Sequence, residues 1–458
     1  MAVELRESAL TERLAAAVLT TEVSASLQER EVRHALVDTL SVSVAASGED
    51  GIRRLRSVTA LDEAAAAAAW VPGEGATAGF INGTAAHFFD FDDVSPTMPL
   101  HPSAVLVPAL LAADDGALSF GRFAEAFIVG QAAFRTITQA LPSAIHYGRG
   151  WHSTSTVGRL AAVAALARLK KLDVQTTQRA LALASTMAAG SRANFGTMAK
   201  PMHVGMSVQD ALRAVDWAEA GITASLQELE APSGYFARFG EDGHQALVDL
   251  TADVEERFAQ WVDDWAFDWG LKRFPSCYGT HLAIDAVLDM RLDLGDDTTL
   301  DVEAIDVVVH ENGTAPLQTG EPRTANEAKF SLEYCVALAL LNGAVTLADF
   351  TPHSFESRQD VRDMARRVSL REGEAGREFA TVSMLTAGGR RPDATVHAAR
   401  GDSSNPLSDD ELRTKIASCF SYAGIDGPGA GRLLDAVGSL SAGADVRSLP
   451  MGIERRDS

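Results

Sequence analysis

The chain has 458 residues, a formal net charge of −22, 46% hydrophobic residues and 22% charged residues. That is an ordinary globular composition, long enough for a large core and, by length, for two domains. The acidic balance argues against nucleic acid and anionic membranes as partners, because both repel such a surface.

In chain order, the N-terminal MAVELRESALTERLAAAV is charged throughout and has no apolar leader core. Together with three scattered cysteines and no C-x-x-C pair, it leads to the expectation of a reducing, cytoplasmic setting. Leu10, Leu14 and Val18 repeat at helical spacing. The run Ala64–Ala69 is too short to cross a bilayer and reads as a helix interior. VGRLAAVAALARLKKL (157–172) and QRALALASTMAA (178–189) are Ala/Leu-rich helices. Turns fall at VPGEG (71–75), SPTMP (95–99), HYGRG (146–150) and APSG (231–234). About the first 265 residues read as helical.

The character changes near Trp269–Gly270. IDVVVH (305–310) alternates as a half-buried strand. EFATVSMLT (378–386) and ATVHAAR (394–400) flank Gly388-Gly389 as a hairpin. A helix over 326–343 closes on Gly343. Ser408 and Glu411 form a capping box that restarts helical structure. The expected fold is therefore mainly α with an inserted α+β domain. Residues 1–269 and 403–458 would form one discontinuous helical domain, and residues 270–402 a smaller α+β lid.

No P-loop and no G-x-S-x-G is present, and GEGATAG (73–79) is not a dinucleotide fingerprint. Four clusters carry chemistry, each at a Gly/Pro-marked turn beside a helix. HFFDFDDVSPTMPLHPS (87–103) holds His87, Asp90, Asp92, Asp93 and His101. The second holds His146, Tyr147, Arg149 and His152, the third Lys200 and His203, and the fourth Lys272, Arg273, Cys277, Tyr278 and His281. Histidines, carboxylates, a tyrosine and several cations, without a thiolate set, suit proton transfer beside a carboxylate. Lys200, Lys272 and Arg273 would hold substrate carboxylates and stabilise an enediolate-like intermediate. His152 and Tyr147 would serve as acid and base, and His101, oriented by Asp90, as a second proton carrier. Cys277, Tyr278, His281 and His203 would complete the substrate side. Asp92 and Asp93 read as structural or capping residues. The rival of another class is a metal-dependent hydrolase using His87, Asp90, Asp93 and His101. A third reading is a binding protein without catalysis.

The clusters, in this order, resemble the MmgE/PrpD family. The matching stretches are FINGTAAHFFDFDD (80–93), HPSAVLVPALLA (101–112), GWHSTSTVG (150–158), NFGTMAKPMHVG (194–205), KRFPSCYGTHLAID (272–285) and NEAKFSLEYCVALALLNG (326–343). The resemblance implies a helical domain built from both ends of the chain, an inserted α+β lid, an active site between them, a homodimer and no cofactor. It implies catalytic or substrate-binding roles for Asp90, His101, His152 and Lys200. The implied activity is that of a metal-free lyase or isomerase on a small di- or tricarboxylic acid. A 2-methylcitrate-dehydratase-like hydro-lyase comes first, with iminodisuccinate-type epimerisation and cis-aconitate decarboxylation as alternatives. Val94 and Cys277, the absence of a tyrosine near Gly313–Thr314, and the absence of a tryptophan after Asp93 depart from patterns expected within the family.

Overall fold

Small residues decide how closely the helices of this protein approach one another. The computed structural model describes residues 9–450 except 25–28, 60–67, 99, 114–115, 242–244, 295–301, 319, 375, 377 and 426; the side chains of 293, 294 and 427 are also outside the description. Most of the Ala64–Ala69 run lies outside the described residues. Up to residue 270 run α1 (Leu10–Thr20), α2 (Glu29–Ala46), α3 (Ala76–Ala86), α4 (Ser103–Leu111), α5 (Phe120–Gln139), α6 (Gly158–Lys170), α7 (Val174–Thr186), α8 (Ala199–Glu219) and α9 (Gln245–Asp264), with shorter helical pieces between them. Helix α6 is buried continuously from Gly158 to Ala167, as an Ala/Leu helix without a polar face must be. Its Arg159 is paired with Asp210 at 2.8 Å.

Helices α3 and α8 pack through glycines. A Cβ on Gly205 would meet Thr84 Oγ1 at 2.1 Å and the Phe80 carbonyl at 2.3 Å. This approach brings Lys200, on the first turn of α8, against His87, which directly follows α3. Gly205→Ala forces these backbones apart and is expected to lower unfolding free energy by about 1–3 kcal/mol. A urea midpoint equal to wild type would contradict that packing.

The sheet comprises β1 (Val302–Val309), β2 (Val368–Glu372), β3 (Ala380–Thr386) and β4 (Asp393–Val396), in the order β2-β1-β3-β4. Strands β1 and β2 are parallel; the other neighbouring pairs are antiparallel. Ile305, Val307 and Val309 face inward, as their alternation requires. Helices α10 (His281–Leu294) and α11 (Leu332–Asn342) pack on this sheet and on each other. Helices α12 (Asp409–Tyr422) and α13 (Gly427–Gly438) return to pack against α2. The architecture is mainly α with a small α+β part.

The glycine hairpin joins β3 to β4 with Ala380 opposite Val396, and β4 ends there, short of residue 400. The helix expected over 326–343 is broken. A turn at Ala325–Ala328 precedes α11, and Ser331 caps α11 by accepting from the Tyr334 amide. The break turns the Lys329 carbonyl toward the Cys277 amide (2.9 Å) and sends Phe330 to the cavity described below. Gly343 ends α11 at φ 68°, a left-handed position that glycine adopts without strain. One apolar cluster draws on residues 10–271 and 407–449, and a second on residues 274–399. Among the described residues no helix is long and apolar enough to cross a membrane.

Candidate active site

The loop from α3 to α4 is built around Asp90, whose φ of 54° is left-handed. Aspartate visits that region more readily than most residues, but still at a cost. Buried ammonium groups hold it there. Lys200 Nζ donates to Asp90 Oδ1 at 2.6 Å. Lys272 Nζ lies 3.1 Å from Asp90 Oδ2 and donates to the Asp90 carbonyl at 2.8 Å. Burial alone would raise the Asp90 pKa; Lys200 and Lys272 outweigh it and hold the carboxyl well below its usual range.

His87 is wholly buried and its tautomer is fixed from both sides. Nδ1 lies 2.8 Å from Asp92 Oδ2, so it carries the proton, and Nε2 accepts from Lys200 Nζ at 2.8 Å. Asp92 is thus more than a cap: it orients His87, and the histidines outweigh burial to keep its pKa down at about 2. Asp93 has the structural role. It accepts from the Ser103 amide at the start of α4 and from Trp269 Nε1 at 2.6 Å, and burial raises its pKa to about 7.

His101 is oriented by a different group from the one expected. Its Nδ1 donates to the Asp93 carbonyl at 2.8 Å, while its Nε2 stands 3.7 Å from Asp90 Oδ1, beyond a hydrogen bond. The Nε2 lone pair is therefore the free side of the ring. His152 and His203 meet at 3.2 Å through their Nδ1 atoms, so one donates to the other.

A cavity of about 320 Å³ opens in front of this network. Asp90, His101, Tyr147, His152 and Lys200 line it from the helical side, and Cys277 and Tyr278 line it from the other. Four expected substrate-side residues do not line it. Lys272 is fully buried beneath Asp90 and also donates to the Ser276 carbonyl. Arg273 pairs with Asp285 at 2.9 Å. His281 is buried against Phe274 and Tyr278, and His203 backs His152. His146 is held by the Phe239 carbonyl and by Thr156, and serves the turn. Phe195 and Phe330 were unmarked in the sequence. Both line the cavity, and their rings stand 5.1 and 5.3 Å from Lys200 Nζ. The position of Phe330 follows from the helix break at Ser331.

His87, Asp90, Asp92 and His101 bring potential ligand atoms within 4.8 Å of one another. Asp93, part of the expected metal set, is engaged elsewhere. A divalent ion at this cluster would have to displace the Lys200 ammonium already bonded to both His87 and Asp90. The cation at this cluster is an ammonium.

Burial, followed by Lys272, holds His101 well below the usual imidazole range; burial, followed by Lys200, does the same to His152. His203 falls to about 4, chiefly through burial. Burial keeps the Tyr147 hydroxyl protonated and raises the Cys277 thiol to about 11. His34, His87, His146 and His281 are lowered too, with burial the largest cause in each. The unfolded chain therefore takes up imidazole protons near pH 6.5 that the native state refuses. Asp38 and Asp93, raised to about 6 and about 7, act in the opposite sense but are fewer. Stability is expected to fall as pH drops through 6.5. A urea midpoint at pH 5.5 equal to or above that at pH 7.5 would contradict this balance.

Imidazoles whose pKa values burial depresses thus stand beside a fixed ammonium at the wall of a cavity. The chain matches the MmgE/PrpD N-terminal domain over residues 12–247 and the MmgE/PrpD C-terminal domain over residues 274–426. It is 26% identical to cis-aconitate decarboxylase of Mus musculus over 353 residues, covering 74% of this chain and 70% of that one. It is 27% identical to the Homo sapiens enzyme of the same name over 301 residues, covering 64% of this chain and 60% of that one. A cis-aconitate decarboxylase-like protein of Aspergillus oryzae is 25% identical over 395 residues, 81% of each chain. The chain belongs to the MmgE/PrpD family, and it is an enzyme of the lyase type.

Proposed function

We propose that the protein is a metal-free carboxylate lyase that removes the proton next to a carboxylate of a small hydroxy di- or tricarboxylic acid and expels water, as a 2-methylcitrate-type hydro-lyase does. The observation that carries this reading is His101 Nε2, an unprotonated acceptor on the cavity wall next to the Lys200–Asp90 pair. His101 takes the α proton. The C–H electron pair becomes the new C=C bond as the β C–O bond breaks. The hydroxyl leaves as water with the proton of Tyr147, and His101 returns its proton to the phenolate through cavity water. An ammonium has three N–H donors. Lys200 gives two to Asp90 and His87 and keeps one for the substrate carboxylate, whose charge grows as the proton leaves. His152, backed by His203, fixes a second polar group of the acid.

The similarity to cis-aconitate decarboxylases favours a second reading, decarboxylation of cis-aconitate. Loss of carbon dioxide requires a proton delivered to carbon. The depressed imidazoles are acceptors rather than imidazolium acids at neutral pH, which supports proton removal by His101 as the first move and leaves Tyr147 as the donor a decarboxylase would need. Product analysis decides between the two. Given 2-methylcitrate and cis-aconitate separately, the protein is expected to form an unsaturated acid from the first and release no carbon dioxide from the second. Carbon dioxide from cis-aconitate without dehydration would establish the decarboxylase instead. We read residues 1–269 with 403–458 as one unit and 270–402 as the other, with the cavity between them, a division supported by the two largest apolar clusters, while a smaller one joins Leu347 to Val42, Phe89 and Cys419 across it.

A further inference from the structure

Four buried ammonium groups converge on the stretch His87–Asp93, and three of them do not line the cavity. Lys200 holds the Asp90 carboxylate and Lys272 the Asp90 carbonyl. Lys329 donates to the Phe88 carbonyl at 3.4 Å. Lys415, in the middle of α12, donates to the Phe91 carbonyl at 2.8 Å, and its Nζ stands 4.2 Å from the centre of the Phe91 ring. Its side chain is 3% exposed, and its counter-charge is Asp38 of α2, with Oδ1 at 2.6 Å and 1% exposed. A buried ion pair is weak support for stability by itself. What this one grips is informative.

The Phe91 carbonyl belongs to the peptide that joins Phe91 to Asp92. The Asp90 carbonyl, gripped by Lys272, belongs to the peptide just before it. Two consecutive peptide planes are therefore each held by a charge-assisted bond. They follow directly after the left-handed Asp90. Rotation of the Phe91–Asp92 peptide would swing the Asp92 carboxylate off His87 Nδ1. His87 would then lose the partner that fixes the ring from which its Nε2 meets Lys200.

We propose that Lys415 is a positioning residue for the reaction: by holding the Phe91 carbonyl it aims Asp92 at His87 and, through His87, Lys200 at the cavity. This rests on the reading of Lys200 and Asp90 as part of the reacting site. The helix that carries Lys415 lies more than two hundred residues beyond Lys200 in the chain, so the C-terminal segment would serve catalysis as well as packing.

The test removes the clamp without stranding a buried carboxylate. In Asp38→Asn/Lys415→Met, kcat is expected to fall by about 10²-fold, with KM within about twofold of wild type. Lys415→Arg, which keeps a charged donor, is expected to recover most of the loss. A second readout needs no substrate. The buried Nδ1–H of His87, held by a carboxylate, is expected to give a slowly exchanging downfield proton resonance in wild-type protein, assigned by its loss in His87→Asn. That resonance is expected to vanish or move upfield in the double variant. If the double variant does not fold, Lys415→Gln is measured in the same two ways. An unchanged His87 resonance in a folded variant overturns the proposal, whatever the rate. Wild-type protein that transforms no carboxylate would overturn the lyase reading, while the resonance would still decide the clamp.

Discussion

Lys200→Met lowers kcat by about 10²–10³-fold, the loss expected when one preorganised donor to a developing negative charge is removed. Methionine keeps most of the length and apolar contact of the lysine side chain, including its packing near Phe195 and Phe330. It removes the ammonium that bonds Asp90 and His87. The rate therefore reports the charge and not a cavity. The same substitution destabilises the fold, because Asp90 is left buried with one of its two close ammonium partners. Breaking a buried ion pair costs about 3–5 kcal/mol, and the remaining Lys272 places the expected cost at the lower end of that range. Initial rates are compared at a temperature where both proteins are folded. Turnover within tenfold of wild type would remove Lys200 from the chemistry.

His101→Asn is expected to lower kcat by about 10²–10⁴-fold, the range for loss of a general base. Its pH signature is as telling as its size. Because the His101 pKa lies well below 6.5, the resting ring is already neutral at pH 6.5 and remains an acceptor. The kcat/KM of the wild type should therefore stay level through pH 6.5 and fall only at more acidic pH, where Nε2 takes a proton before substrate arrives. In His101→Asn that acid limb should disappear along with most of the rate. A wild-type limb centred near 6.5 would mean that the working base is a solvated imidazole elsewhere. Short assays at low pH avoid confusion with the expected acid destabilisation.

How much of this could be read from the chain depends on what each residue's role requires. The β3–β4 hairpin was legible because strict alternation flanks two glycines, and α6 because an Ala/Leu run has only one way to be satisfied. Strand β2 was not, since VSLRE is an exposed edge whose charges hide its alternation. The break before α11 was hidden within an unbroken apolar run, where only Ser331 marks a new cap. Asp90, His101, Tyr147, His152 and Lys200 could be gathered because each stands at a turn beside a helix, and the structure brings them to one cavity. Their division of labour could not be read. His101 is oriented by a main-chain carbonyl, which no side-chain pattern records. Asp92 reaches His87 only because the chain turns left-handed at Asp90. Lys272 looked like an anion anchor because a lysine beside an arginine at a turn does. Which carboxylate a lysine meets is a tertiary matter, and Lys272 meets Asp90. Lys415 and Asp38 lie in the middle of helices and carried no mark at all.

In the proposed reaction His101 accepts the proton next to a carboxylate without a metal. Proton NMR in deuterated water, using protein dialysed against a chelator and supplied with 2-methylcitrate, follows that step. Wild-type protein is expected to form the unsaturated acid and, by rehydration, to return deuterium to the α carbon; His101→Asn is expected to do neither at a measurable rate. Absence of both product and deuterium return in chelator-treated wild type, with activity restored by a divalent metal, would contradict the proposed reaction.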